Sequence, residues 1–156
     1  MKALIEILAA GGGTLFFAIF YNMRGKKLVT AGLGGMLTWS VCLLATDLTG
    51  SQYIAYLVSA MVASITAEIL ARFFKTPTTT FVVPILIPLI PGGGLFYTMS
   101  AVVQRDWITF ASKGQSTIFL FCMLAAGIMT ASSVKKMIEG IIRLQRQTSL
   151  ERRSHD

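Results

Sequence analysis

Residues 80–103 read TFVVPILIPLIPGGGLFYTMSAVV, with Pro84, Pro88 and Pro91 followed directly by Gly92, Gly93 and Gly94. The length and apolar content suit a membrane crossing, since a hydrocarbon layer of ~30 Å takes roughly 20 helical residues. The breakers forbid one regular helix. Each proline lacks an N–H and its ring clashes with the carbonyl four residues back, which predicts that the carbonyls of Thr80, Pro84 and Ile87 lose their regular partners. The three glycines loosen the backbone further. Unpaired backbone at membrane depth is tolerated only where protein or a water-filled cavity satisfies it. The stretch is therefore expected to be a broken helix that crosses, its midpoint between Pro91 and Gly92 falling near the bilayer centre.

The rest of the chain agrees with a membrane setting. Hydrophobic residues make up 54% of the 156 and charged residues 13%, against roughly 25% charged in soluble domains. Apolar blocks at residues 3–21, 28–46, 53–72 and 116–134 flank the broken one, each long enough to span. The first lacks the short apolar core and cleavage site of a signal peptide and is kept as a helix. The fold class is thus all-α: an integral membrane bundle of about five transmembrane helices, the fourth broken. Residues 1–140 form a single transmembrane domain and 141–156 a basic cytoplasmic tail. Ile138, Ile141, Ile142 and Leu144 would continue that tail as a surface helix, with disorder beyond.

A net charge of +7 does not indicate nucleic acid, because the cations cluster at block ends and are not interleaved with aromatics. They report topology instead. With five spans and the N-terminus outside, eleven cations fall on one side: Arg24, Lys26, Lys27, Arg72, Lys75, Lys135, Lys136, Arg143, Arg146, Arg152 and Arg153. Only Lys2, Arg105 and Lys113 fall on the other. This bias places the C-terminus in the cytoplasm. Cys42 and Cys122 lie within apolar blocks and read as small hydrophobes, and His155 in the polar tail reads as a solvated terminus. No metal site and no cofactor is indicated.

The chemistry is expected at the break. N–H groups around Gly93, Gly94 and Leu95 would open a second half-helix and present a positive dipole end to a carboxylate, and the carbonyl end of the first half would take an ammonium or a cation. Pro88, Pro91, Gly92, Gly93, Gly94 and Tyr97 are the candidate substrate-binding residues. The alternative is a kink that serves packing alone. Glu68, within about two turns of the cytoplasmic edge, is a candidate for proton coupling or gating with Arg72. The alternative is a simple i,i+4 ion pair. Ala55, Ser59, Ala63, Ala67 and Ala71 form a ladder of small residues at spacing four, read as a packing face. Gly11, Gly12 and Gly13, at the middle of their helix, read as a close helix contact, the alternative being that they face the same cavity as the break. No nucleophile, base and orienting acid can be assembled from these spans, so an enzyme is not expected.

The run Ala67-Glu68-Ile69-Leu70-Ala71-Arg72, then Lys75 and Pro77, then Phe81, Pro84 and Pro88-Leu89-Ile90-Pro91-Gly92-Gly93 with Tyr97 and Met99, resembles the small subunit of the bacterial threonine/serine exporter family. The resemblance implies a multi-pass efflux subunit in the bacterial cytoplasmic membrane that works with a larger membrane subunit. It implies a small carboxylate or amino acid as substrate, with some relatives associated with succinate export. A homo-oligomer and a purely structural subunit that scaffolds its partner remain open alongside.

Overall fold

The computed structural model describes the backbone of residues 1–153 and the side chains of residues 1–137. Among the described residues six α-helices follow one another: α1 (Lys2–Phe20), α2 (Lys26–Thr49), α3 (Gln52–Phe73), α4 (Thr79–Leu86), α5 (Gly92–Val103) and α6 (Trp107–Arg153). A 3-10 turn, Ile87–Leu89, joins α4 to α5. No strand occurs among the described residues, so the all-α expectation holds.

The chain reverses through left-handed residues. Gly50 ends α2 at φ 65° and its N–H donates to the Thr46 carbonyl at 2.9 Å, a conformation that glycine adopts without a Cβ penalty. The turns after α1, α3 and α5 use Asn22, Lys75 and Arg105 at φ 57°, 51° and 56°. In each, the next N–H reaches back to an alanine carbonyl: Met23 to Ala18 at 3.0 Å, Thr76 to Ala71 at 3.0 Å and Asp106 to Ala101 at 2.9 Å. That bond closes a helix C-terminus by satisfying a carbonyl the helix itself leaves open.

Small residues set the spacing of the bundle. Leu15 of α1 lies over Gly32 of α2, and Ile85 of α4 over Gly34, where an added Cβ would meet either side chain at 2.7 Å. With Gly11 against Met36 and Thr14 against Gly35, these contacts make α1 and α2 antiparallel neighbours. The ladder of α3 is buried as expected, Ala55, Ser59, Ala63 and Ala67 at 0% exposure and Ala71 at 2%. The largest buried side chains are Phe81, Ile85 and Leu89, a stripe at spacing four that wedges α4 and its 3-10 turn among α1, α2 and α3.

Helix α6 runs parallel to α3. Phe119 meets Tyr53 with ring centroids 6.1 Å apart, Gly127 meets Leu57 and Ala60, and Lys135 meets Glu68. Helix α5 is inclined 57° to the Thr79–Leu89 segment, so it carries on in the general sense of α4 and does not fold back. It then lies antiparallel along α6, with Gly94 on Thr117 and Thr98 beside Gly114. Among its residues only Ala101 is buried.

Four helical stretches are long and apolar enough to cross a membrane, namely α1, α2, α3 and Trp107–Met137, and the bent α4–α5 pair makes a fifth if it counts as one span. The 31 residues of Trp107–Met137 measure about 46 Å, well beyond a ~30 Å hydrocarbon layer. The apolar outer faces, such as Phe16, Phe20, Leu33, Ile69 and Ile108, are those expected to meet lipid. Helix α6 continues to Arg153, past Leu144, where the sequence predicts disorder. A helix with no breaker in that segment simply propagates. The surface-facing reading of Ile138, Ile141, Ile142 and Leu144 concerns side chains outside the described ones, and His155 lies outside the described residues.

Candidate functional site

The break begins where Pro84 sits inside α4 and Pro88 follows. The helix answers by tightening. The Ile87 N–H donates to the Pro84 carbonyl, and the Ile90 N–H donates to the Ile87 carbonyl at 3.1 Å. These two carbonyls lose their regular partners four residues on, as the prolines require, and 3-10 geometry replaces each with a bond one residue closer. Ile90 then turns extended, at φ −66° and ψ 121°. Pro91, which is buried, becomes the N-cap of α5.

At the start of α5 the Gly92 N–H donates to the Ile90 carbonyl at 2.7 Å and the Leu95 N–H to the Pro91 carbonyl at 3.1 Å. Leu95 is thereby removed from the predicted set of open donors. Gly93 and Gly94 stand in the first turn, where N–H groups have no intrahelical acceptor and the helix dipole is positive. A Cβ added at Gly92 or Gly93 would meet nothing within 4 Å, so the backbone there is open on its outer side. Gly94 instead packs on Thr117, whose hydroxyl donates to the Lys113 carbonyl at 2.8 Å.

The remaining residues of this group are spread around the helix. Pro88 is half-buried. Tyr97 is 60% exposed, and its ring meets Phe96 edge-on at 5.7 Å. Tyr97 closes over no wall among the described residues. Of the three glycines in α1, Gly11 is buried against Met36, whereas Gly12 and Gly13 face open space. The close-contact reading holds for the first alone.

Glu68 and Arg72 lie elsewhere, at the far end of α3. Arg72 approaches Glu68 Oε1 through Nη2 at 2.9 Å and Nε at 3.2 Å, the i,i+4 pair that the sequence allows. A second cation joins them: Lys135 Nζ of α6 reaches the same oxygen at 2.9 Å. The Glu68 and Lys135 side chains are 18% and 32% exposed, the Arg72 side chain 62%. The bridge from Lys135 is thus the better shielded of the two and joins separate helices.

This ion pair borders a cavity of about 320 Å³ lined by Ser64, Glu68, Thr78, Val82, Ile128, Ala131, Ser132, Lys135 and Lys136. No residue of the break lines it. Ten residue steps from Val82 to Gly92 separate the two places by ~15 Å along the helix path. Sequence reasoning missed Lys135, which reads only as a topology charge at the end of a block. The signal that could have found it is the parallel packing of α3 and α6, and no local pattern carries that.

No cluster of metal-ligating side chains occurs among the described residues. Both cysteines are free, Cys42 in the core and Cys122 on the outer face.

The family described as Threonine/Serine exporter, ThrE matches residues 6–134. No curated protein and no solved structure matches the chain. The match spans α1 to most of α6 and includes both the bent segment and the Glu68 cavity. A helical chain with four to five candidate spans, matched over most of its length by a transporter family, is a membrane protein, and it belongs to the threonine/serine exporter family.

Proposed function

We propose that this chain is the small subunit of a secondary efflux transporter of the bacterial cytoplasmic membrane, exporting threonine, serine or a related small carboxylate together with a larger membrane subunit. The observation that carries the reading is the open first turn of α5, at a bend of 57° inside an apolar segment, where Gly92 and Gly93 leave the backbone uncovered. In this reading Pro88, Pro91, Gly92, Gly93, Gly94 and Tyr97 bind the substrate, its carboxylate facing the Gly93 and Gly94 N–H groups. Glu68 and Arg72 act in coupling or gating from the cytoplasmic side. The N-terminus lies outside and residues 141–156 form a cytoplasmic tail, in line with the distribution of Lys and Arg.

The need for a partner draws support from the same helix. Leu95, Phe96, Tyr97 and Met99 are 43%, 69%, 60% and 67% exposed, so the face of α5 next to the glycines has no covering helix among the described residues. A partner that supplies the missing wall would complete the site. A succinate exporter subunit, or a scaffold without its own substrate site, would use the same surface. Export of threonine, serine and succinate from cells lacking their native system, with and without the partner, separates these. Threonine or serine export that requires both chains is expected. Unchanged export when this chain is omitted would contradict the reading.

A further inference from the structure

We propose that the cavity at the α1–α2 turn holds the phosphate of an anionic phospholipid, at a place apart from both the break and the Glu68 cavity. The turn is pinned from below. The Asn22 N–H donates to the Ile19 carbonyl at 2.8 Å and the Met23 N–H to the Ala18 carbonyl at 3.0 Å, while the Met23 side chain, 5% exposed, sits in the core. The chain then enters α2 through Gly25 at φ 62°, with Lys26 and Lys27 as its first residues. Tyr21, Asn22, Met23, Arg24 and Lys27, together with Thr80 from the start of α4, line a cavity of about 430 Å³. The Tyr21 and Thr80 hydroxyls, the Asn22 amide, the Arg24 guanidinium and the Lys27 ammonium are all donors. No carboxylate is on the wall.

The charge of this cavity is unbalanced. Among the described side chains Glu68 is the one carboxylate at this end of the bundle, and Arg72 and Lys135 occupy it; Glu6, Asp47 and Asp106 stand at the opposite end. Arg24 and Lys27 therefore have no ion pair among the described residues. Lys27 is half-buried, so its ammonium is partly desolvated without a counter-charge, which is unfavourable. The first turn of α2 also has no acidic residue and no side-chain cap, and its lysines add to the positive end of the helix dipole. A phosphate offsets all of these. Its source follows from the position, because α1 and α2 are both long and apolar enough to span and the turn between them lies at a membrane–water boundary. Basic pockets between helices at that depth take phosphorylated headgroups. Along α1 the Phe17 ring stands 5.5 Å from Tyr21 and 6.2 Å from Phe20, and Phe16 and Phe20 are exposed. That apolar strip suits acyl chains, whereas a free phosphate would make no use of it. A bound headgroup would also tie the turn to Thr80, at the head of the half-helix that leads into the bend.

The test is native mass spectrometry of the full chain in detergent, titrated with dioleoylphosphatidylglycerol and separately with dioleoylphosphatidylcholine, which share acyl chains and differ in net headgroup charge. The first phosphatidylglycerol is expected to bind about 10-fold more tightly or better, on the scale of two cations at an anionic surface. Arg24→Gln and Lys27→Gln should each weaken it about 5-fold, and Lys27→Arg should retain it. Lys26→Gln, beside the cavity but not on its wall, should lose less than either. Lys113→Gln, at the opposite end of the bundle, should bind as wild type, and inorganic phosphate should not displace the lipid. Melting of each variant separates a lost contact from a lost fold, with Lys27→Arg as the charge-preserving reference. Equal affinity for the two lipids would overturn the proposal. So would losses in Lys26→Gln and Lys113→Gln as large as those in Arg24→Gln and Lys27→Gln, which would mean diffuse attraction to a basic surface. Displacement of the lipid by millimolar inorganic phosphate would assign the cavity to a soluble anion and overturn it as well.

Discussion

Gly127 of α6 lies against the backbone of Leu57 in α3. A Cβ at Gly127 would stand 2.5 Å from the Leu57 carbonyl oxygen and 2.8 Å from Ala60 Cβ. Neither neighbour can rotate away, since one is backbone and the other a bare methyl. The parallel α3–α6 contact, and with it the meeting of Glu68 and Lys135, depends on this absence of a side chain.

Gly127→Leu should therefore separate the two helices and lower stability by roughly 1–3 kcal/mol or more, the usual range for overpacking. Gly12→Ala is the control, because a Cβ there meets nothing within 4 Å and Ala is the better helix former by about 0.5–1 kcal/mol. Thermal melting in detergent measures both. A Gly127→Leu melt equal to wild type would contradict the packing described.

The two bridges to Glu68 should differ in strength. Arg72 is an exposed i,i+4 partner, and such pairs contribute about 0.2–0.5 kcal/mol. Lys135 is better shielded and ties α6 to α3, so its coupling to Glu68 is expected to be larger. Double-mutant cycles with Glu68→Gln, Arg72→Gln and Lys135→Gln measure both couplings by melting. Equal couplings, or a larger one for Arg72, would contradict the assignment.

Asp106 caps α6 outside the spans. Hydrogen bonds from the Thr109 side chain and then from the Thr109 backbone N–H, the latter at 3.1 Å, hold its carboxyl below the usual aspartate value. A lowered folded value means that the cap's stabilisation is complete above the unfolded value, at roughly pH 4, and fades as pH falls through the folded one. Asp106→Ala should then melt below wild type at neutral pH, with the gap closing in acid. Melting curves between neutral pH and about pH 3 measure the gap. A gap that stays constant would contradict it.

Much of this architecture is legible in the order of residues. Apolar blocks ended by cations or a short polar turn mark α1, α2, α3 and the middle of α6, and the ladder from Ala55 to Ala71 marks the buried face of α3. Pro84, Pro88 and Pro91 mark the bend because proline removes donors wherever it stands. The repair of the bend is less legible. Whether the carbonyls of Pro84 and Ile87 stay open depends on how far the chain can tighten into a 3-10 turn, which its packing among α1, α2 and α3 decides. Lys135 is illegible for a related reason: it reaches Glu68 through tertiary packing, with a whole helical bend between them in the chain. The length of α6 escapes the hydropathy blocks too, since Lys113 and Gln115 interrupt the apolar run but not the helix.

The substrate role of the break is tested most directly by threonine export from cells carrying Gly93→Leu together with the larger subunit. A Cβ at Gly93 meets nothing within 4 Å, so the melt should match wild type while the side chain fills the space beside the α5 N-terminus and export falls at least ~10-fold, as for a displaced binding contact. Export at the wild-type rate from a normally assembled Gly93→Leu complex would contradict the account.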